Sequence, residues 1–237
     1  MHMPWRRTFL LALSLLLTLF ASLTACSSSP QPVGGFPSNI NHPQPVDNTF
    51  QGCPPEGDGG DAALNVRKNR IDDGDNGTYF DVNESDILAL PIPEGVERVA
   101  RDNWSSDDAD TVAQYEGTPV RMVTWIYGSR HEGTESPNCH STQYRDFHVW
   151  VVPDSGDDRT QAVVAEVTPR VRAMRPGWTD SMLSSLNGQQ VRISGWLLMD
   201  QEHPEQLGQT RGTLWEIHPI IHIEVSNGGG WESIDNG

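Results

Sequence analysis

Beyond Gly117 the chain adopts a period of two: apolar side chains recur at alternate positions in short runs bounded by turn-forming residues, which fits pleated strands rather than helices. The first run, Val120 to Tyr127, puts Val120, Met122, Thr124 and Ile126 on one face and Val123, Trp125 and Tyr127 on the other. Phe147 to Val152, Ala162 to Thr168, Gln190 to Met199 and Thr213 to Val225 make four more. One segment departs from this rhythm. Between the third and fourth runs, Trp178 to Leu186 carries Met182, Leu183 and Leu186 as a helical stripe, which Thr179 or Asp180 can cap and Gly188 can end.

Three strands, a helix and two strands is the order of a five-stranded OB barrel. The predicted fold class is therefore all-β: an OB-like barrel over residues 116–231, with one short helix between strands three and four. Gly195 suits the bulge that barrel closure needs, and Pro219, with no N–H for a ladder, demands an edge or a kink. Trp125, Trp150, Trp178, Trp196 and Trp215 are assigned mainly to the core.

The region ahead of the barrel has three parts. Arg6 and Arg7 lead into an apolar run from Phe9 to Phe20 that ends Leu23-Thr24-Ala25-Cys26, the pattern of a bacterial lipoprotein signal peptide over residues 1–25. Cleavage before Cys26 leaves it as the acylated N-terminus, and the apolar run is short for a membrane span. Ser27 stands where an Asp would signal inner-membrane retention, so the expected localisation is the cell envelope, anchored by lipid and favouring the outer membrane. Residues 26–60, rich in Ser, Pro, Gly, Asn and Asp, read as a disordered tether. Residues 61–115 form an irregular acidic extension, in which Asp72 to Gly77 lacks the oxygen spacing of an EF-hand and reads as a solvated turn. Ser85 can cap a short helix through Leu90, which Pro91 would stop.

The net charge of −16 argues against nucleic acid as a partner. Lys68 is the only lysine, a bias that genome composition or a salty habitat explains. With Cys26 acylated, Cys53 and Cys139 remain in a compartment that permits oxidation, and a disulfide between them would tie the N-terminal segment to the barrel. Neither a zinc ribbon nor a Cys-x-x-Cys redox pair is present.

Alternation also sorts the polar residues. Asp146 and His148, Glu166 and Thr168, and Glu216 and His218 each lie two apart on a strand, so each pair points one way. If their strands are neighbours, these groups converge with Arg211 nearby, a candidate polar site for a divalent cation or for acid–base chemistry; His148, Glu216 and His218 are the candidate metal ligands. Glu166 and Glu216 interrupt apolar runs, where a carboxylate needs a partner, and Arg170, Arg172, Arg192 and Arg211 are on hand for a structural ion-pair network. The leading expectation is no bound cofactor, with a divalent metal ion as the candidate exception.

The segments Asp146-Phe147-His148-Val149-Trp150, Ala165 to Arg172, Val191 to Asp200 and Trp215-Glu216-Ile217-His218-Pro219-Ile220, with Asn138-Cys139-His140, are similar to those of an uncharacterised family of exported bacterial proteins. That family has an Asp-x-His strand early and a Glu-x-His-Pro strand last; the resemblance covers residues 65–231 and implies an OB-like domain without a stated activity. The chain lacks the closely spaced Arg, Asp and Glu of staphylococcal-type nucleases. Two functions follow as expectations. The first is a lipid-anchored module that binds a small ligand or envelope protein through the barrel face and the 200–211 loop. The second is a metal-dependent hydrolase, phosphodiesterase- or nuclease-like, with Glu166 and Glu216 beside His148 and His218, and Arg211 stabilising an anion.

Overall fold

The structure, a computed structural model, describes Phe36, His42, residues 44–74 and residues 77–236. The expected signal peptide and Cys26 lie outside the described residues. Seven strands are present: β1 (Phe80–Val82), β2 (Pro119–His131), β3 (Phe147–Val152), β4 (Val163–Val167), β5 (Gln190–Met199), β6 (Trp215–Ser226) and β7 (Trp231–Ser233). Five of them close a barrel through antiparallel pairs β2–β3, β3–β4, β5–β6 and β2–β5 and a parallel pair β4–β6. The two extra strands sit outside the ring, β1 parallel to the start of β2 and β7 antiparallel to the end of β6.

Strand β2 serves two neighbours because its register shifts between Ile126 and Gly128: Pro119 to Trp125 pair with β5, and the strand then pairs with β3 as far as His131. That second partner carries the strand beyond the Tyr127 expected from alternation. At Gly195 the β5–β6 register also shifts, and an added Cβ would stand 2.3 Å from the Pro219 carbonyl oxygen, so only glycine lets the two strands approach. Pro219 falls in the gap between the Gly195–Ile220 and Leu197–Ile217 pairs, where the ladder asks for no N–H. Met122, Ile126, Phe147, Val149, Val151, Val163, Ala165 and Val167 point inward and are buried in one apolar core.

The acidic extension contains α1 (Ala62–Lys68), α2 (Glu84–Leu88) and α3 (Ser106–Ala113), so it is less irregular than its composition implies. Asp61 and Ser105 cap α1 and α3. Helix α2 begins two residues earlier than expected, because Asn83 rather than Ser85 is its cap and the Asp86 carboxylate accepts from the Asn83 N–H at 2.8 Å. Glu84, the first residue of α2, is buried; its Oε2 lies 3.0 Å from Thr124 Oγ1, which in turn lies 2.9 Å from the Val152 carbonyl oxygen. Between β4 and β5 there are two short helices, α4 (Pro169–Met174) and α5 (Asp180–Ser184), where one was expected. Pro176 and Gly177 separate them, while Thr168 caps the first and Thr179 the second.

Residues 50–60, placed in the tether by their composition, lie against the domain. Cys53 and Cys139 form a disulfide with a Cα–Cα separation of 5.7 Å. Asn69 Nδ2 donates to the carbonyls of Pro55 and Pro137, both at 2.8 Å, Asn65 Nδ2 to those of Glu56 and Gly59, and Arg170 Nη2 to that of Pro54. Side-chain amides and a covalent bond thus hold a stretch that lacks the apolar surface to hold itself. Among the described residues, no helix is long and apolar enough to cross a membrane.

Candidate functional site

The barrel registers assemble the site. His148 pairs across the ladder with Glu166, and Val164 and Ala165 with Glu216 and Ile217, so Glu216 and His218 continue along the strand beside Glu166. The odd-numbered neighbours Phe147, Val149, Val163, Ala165 and Val167 fill the core, which leaves His148, Glu166, Glu216 and His218 on the barrel's outer face. That face is nonetheless dry: His148 is 5 % exposed, Glu166 6 %, Glu216 1 % and His218 0 %. Cover comes from the extension and the loop that carries Cys139.

Glu166 is the hub. Its Oε1 lies 3.0 Å from His148 Nδ1, and its Oε2 lies 3.5 Å from His218 Nδ1. Glu132, at the end of β2, puts Oε1 2.7 Å from His148 Nδ1; Asp146 puts Oδ2 3.9 Å from His218 Nε2. Glu216 Oε2 lies 3.5 Å from His218 Nδ1, while its Oε1 is taken by Arg211 Nη2. Arg211 Nη1 also bonds Asp200 at 3.3 Å, and Asp200 accepts His203 Nδ1 at 2.6 Å and lies 3.9 Å from Lys68 Nζ. Lys68 is 3.6 Å from Glu202 as well, so the sole lysine is buried as a counter-ion.

Close as these groups are, many lack aligned hydrogen bonds. His148 and His218 face carboxylates at ion-pair range, but Glu166 Oε2, Glu216 Oε2, both oxygens of Asp146 and the imidazole nitrogens are buried without a well-aligned hydrogen bond. Buried polar atoms left in this state are uncommon, and a cluster of them calls for an occupant or a role.

Charge repulsion and burial act together here. Burial pulls the His148 imidazole down, but the carboxylates of Glu132 and Glu166 outweigh it and push it up to about 9. Burial also pulls His218 down, and Glu166, Glu216 and Asp146 more than reverse it. Burial would raise Glu166, yet His218, His148 and Lys68 hold it well below the usual carboxylate range. Asp146 and Glu135 are pushed up, by burial first; Glu166 then adds repulsion to Asp146, whereas Lys68 partly relieves Glu135. The cluster is electron-rich and short of fixed cations, the condition under which a divalent cation is well received.

Two three-residue sets have one nitrogen or oxygen from each residue within 4.8 Å of the others: Glu132, His148 and Glu166, and Asp146, Glu166 and His218. The expected convergence of Asp146, His148, Glu166, Arg211, Glu216 and His218 is thus present in space. Of the candidate ligands, Glu216 meets His218 through Oε2 while Arg211 holds its Oε1, and Glu166 is the carboxylate that lies between the two imidazoles. Of the four arginines considered as partners, only Arg211 reaches this cluster; Arg172 pairs with Asp180 and Arg192 with Glu224, and Arg170 bonds backbone carbonyls. Thr168 caps α4 instead of joining the site. Glu132 and Glu135, beyond the expected strands, and Lys68, which composition alone marks as a bias, also belong to the cluster; a solitary lysine in a lysine-poor chain was a usable signal. The 200–211 loop is pinned inward through Asp200, and so differs from a free binding loop. A cleft of about 230 Å³, walled in part by Arg67, Arg70, Glu116 and Trp196, reaches His218.

No family model, curated protein or solved structure matches the chain. The class that fold and site define is a closed five-stranded β-barrel carrying a buried acid–imidazole cluster suited to a metal ion.

Proposed function

We propose that the protein is a lipid-anchored bacterial envelope protein whose OB-like barrel binds a divalent first-row metal cation in the acid–imidazole cluster. The observation that carries this reading is the convergence of buried ligand atoms on Asp146, His148, Glu166 and His218, many of them without a well-aligned hydrogen bond. Mixed imidazole and carboxylate donors suit zinc, manganese or iron. The OB-like assignment draws support from the strand order around the ring, with the first barrel strand shared between the second and the fourth and the third running parallel to the fifth. Anchoring rests on the Leu23-Thr24-Ala25-Cys26 sequence. Asp146, His148 and His218 stand within the two strand motifs by which the chain resembles the exported family.

Binding is favoured over hydrolysis by the fate of Arg211. A phosphodiesterase would need it free to meet an anion, and here it is 1 % exposed and committed to Glu216 and Asp200. The membrane, through the lipid, is the partner this reading keeps.

Full-length protein purified in detergent, stripped with chelator and dialysed against Zn²⁺ or Mn²⁺, should retain stoichiometric metal by elemental analysis, and Asp146→Asn with His218→Ala should lower the content. Retention of neither ion refutes the proposal. Replacement of Cys26 by Ser should abolish labelled fatty-acid incorporation; persistent labelling refutes the anchor.

A further inference from the structure

We propose that the cluster is a two-metal centre in which the Glu166 carboxylate bridges two cations, an inference that rests on the metal-binding reading above. The two oxygens of Glu166 are directed to different imidazoles: Oε1 to His148 at 3.0 Å and Oε2 to His218 at 3.5 Å. Glu132 completes the set around His148, and Asp146 the set around His218. Each set then offers one imidazole nitrogen and two carboxylate groups, with its atoms within 4.8 Å of one another, so a contraction of a few tenths of an ångström brings them to the at most about 4.4 Å that ligands about 2.0–2.2 Å from a common cation span. A carboxylate that gives one oxygen to each of two ions holds them at roughly 3.5–4 Å, the spacing of two-metal sites.

The second, independent observation is burial with loose pairing. His218 is fully buried and Asp146 is 1 % exposed, yet the imidazole meets its carboxylates only at 3.5–3.9 Å and without a well-aligned hydrogen bond. One ion near His148 would leave this inner half unanswered.

Charge favours more than one ion. Glu132, Asp146 and Glu166 surround the two imidazoles, with Glu135 in electrostatic range. Lys68, Arg211 and His203 are shared among Asp200, Glu202 and Glu216. Of the remaining arginines, Arg130 meets Glu132 only at its exposed rim, 3.4 Å away, and Arg170 gives Nη2 to the carbonyls of Cys53 and Pro54 while its charge also acts on Asp146. A metal-bound imidazole is neutral, so the carboxylates around the two imidazoles exceed the charge of a single dication in a dry site.

The test uses full-length protein, stripped and reloaded with Mn²⁺ alone, read by elemental analysis and by electron paramagnetic resonance. Two ions per chain with a spin-coupled spectrum are expected, falling to one ion with an uncoupled spectrum in Glu132→Gln and in His218→Gln. One ion in the unaltered protein overturns the two-metal centre while leaving single-cation binding intact; none overturns both. Two ions with uncoupled spectra overturn the bridging role of Glu166. Stoichiometry of the unaltered chain decides the matter even if a variant fails to fold.

Discussion

Glu84 offers a sharp test of how burial governs this protein. It is 3 % exposed, and its Oε2 lies 3.0 Å from Thr124 Oγ1. Thr124 has one proton to give, and the Val152 carbonyl, at 2.9 Å, can only accept it. The contact between Thr124 and Glu84 is then satisfied when the carboxyl is protonated and donates. Burial pushes Glu84 from 4.5 up to about 8, which agrees with that geometry. Below pH 4.5 both folded and unfolded chains hold the proton, and its stabilising contribution is complete. Between 4.5 and about 8 the unfolded chain has released the proton while the folded one keeps it, so the contribution shrinks, and above 8 it is gone. At about 1.36 kcal/mol per pH unit, the loss from pH 5 to 8.5 is about 4 kcal/mol, or roughly 8–16 °C in melting temperature for a domain of this size. Glu84→Gln removes the titration and keeps a donor for Thr124. Guanidinium melts of both proteins at the two pH values should show the variant gaining about 4 kcal/mol on the unaltered protein as pH rises. A difference that stays within 1 kcal/mol, or that moves the other way, refutes the reasoning.

Three further outcomes are expected. Cys53→Ser with Cys139→Ser should cost about 2–4 kcal/mol, seen as a lower melting temperature matched by adding reductant to the unaltered protein. Arg211→Met should cost about 3–5 kcal/mol in denaturant melts at neutral pH, because Glu216 loses its buried counter-ion and Asp200 one of its three cationic neighbours. Gly195→Ala should lower stability by about 1–3 kcal/mol, since its Cβ would stand 2.3 Å from the Pro219 oxygen and 2.7 Å from Ile217 Cγ2.

The strands were legible because a half-buried sheet imposes its period on the sequence, and Val120, Met122, Thr124 and Ile126 are buried as that period requires. The pairs Asp146 with His148 and Glu216 with His218 were legible for the same reason. What local pattern could not carry was which groups claim each other across the ring. Glu166 falls between two imidazoles through the β4–β6 pairing that joins residues some fifty positions apart. Lys68 stood out only as a bias of composition, and Glu132 not at all, because they come from a helix and a strand end whose approach to the cluster is a tertiary fact. Residues 50–60 misled in another way: amide side chains and a disulfide replace the apolar surface whose scarcity suggested disorder.

The Cys53–Cys139 bond spans 86 positions, and so threads α1, α2, α3, β1 and β2 into a single covalent ring. Strand β2 is a stave of the barrel and also lies inside that ring. The extension is therefore no detachable preface: a chain shortened to begin at residue 116 would open the ring, strand Cys139 as a lone thiol and uncover the face on which the acids and imidazoles meet.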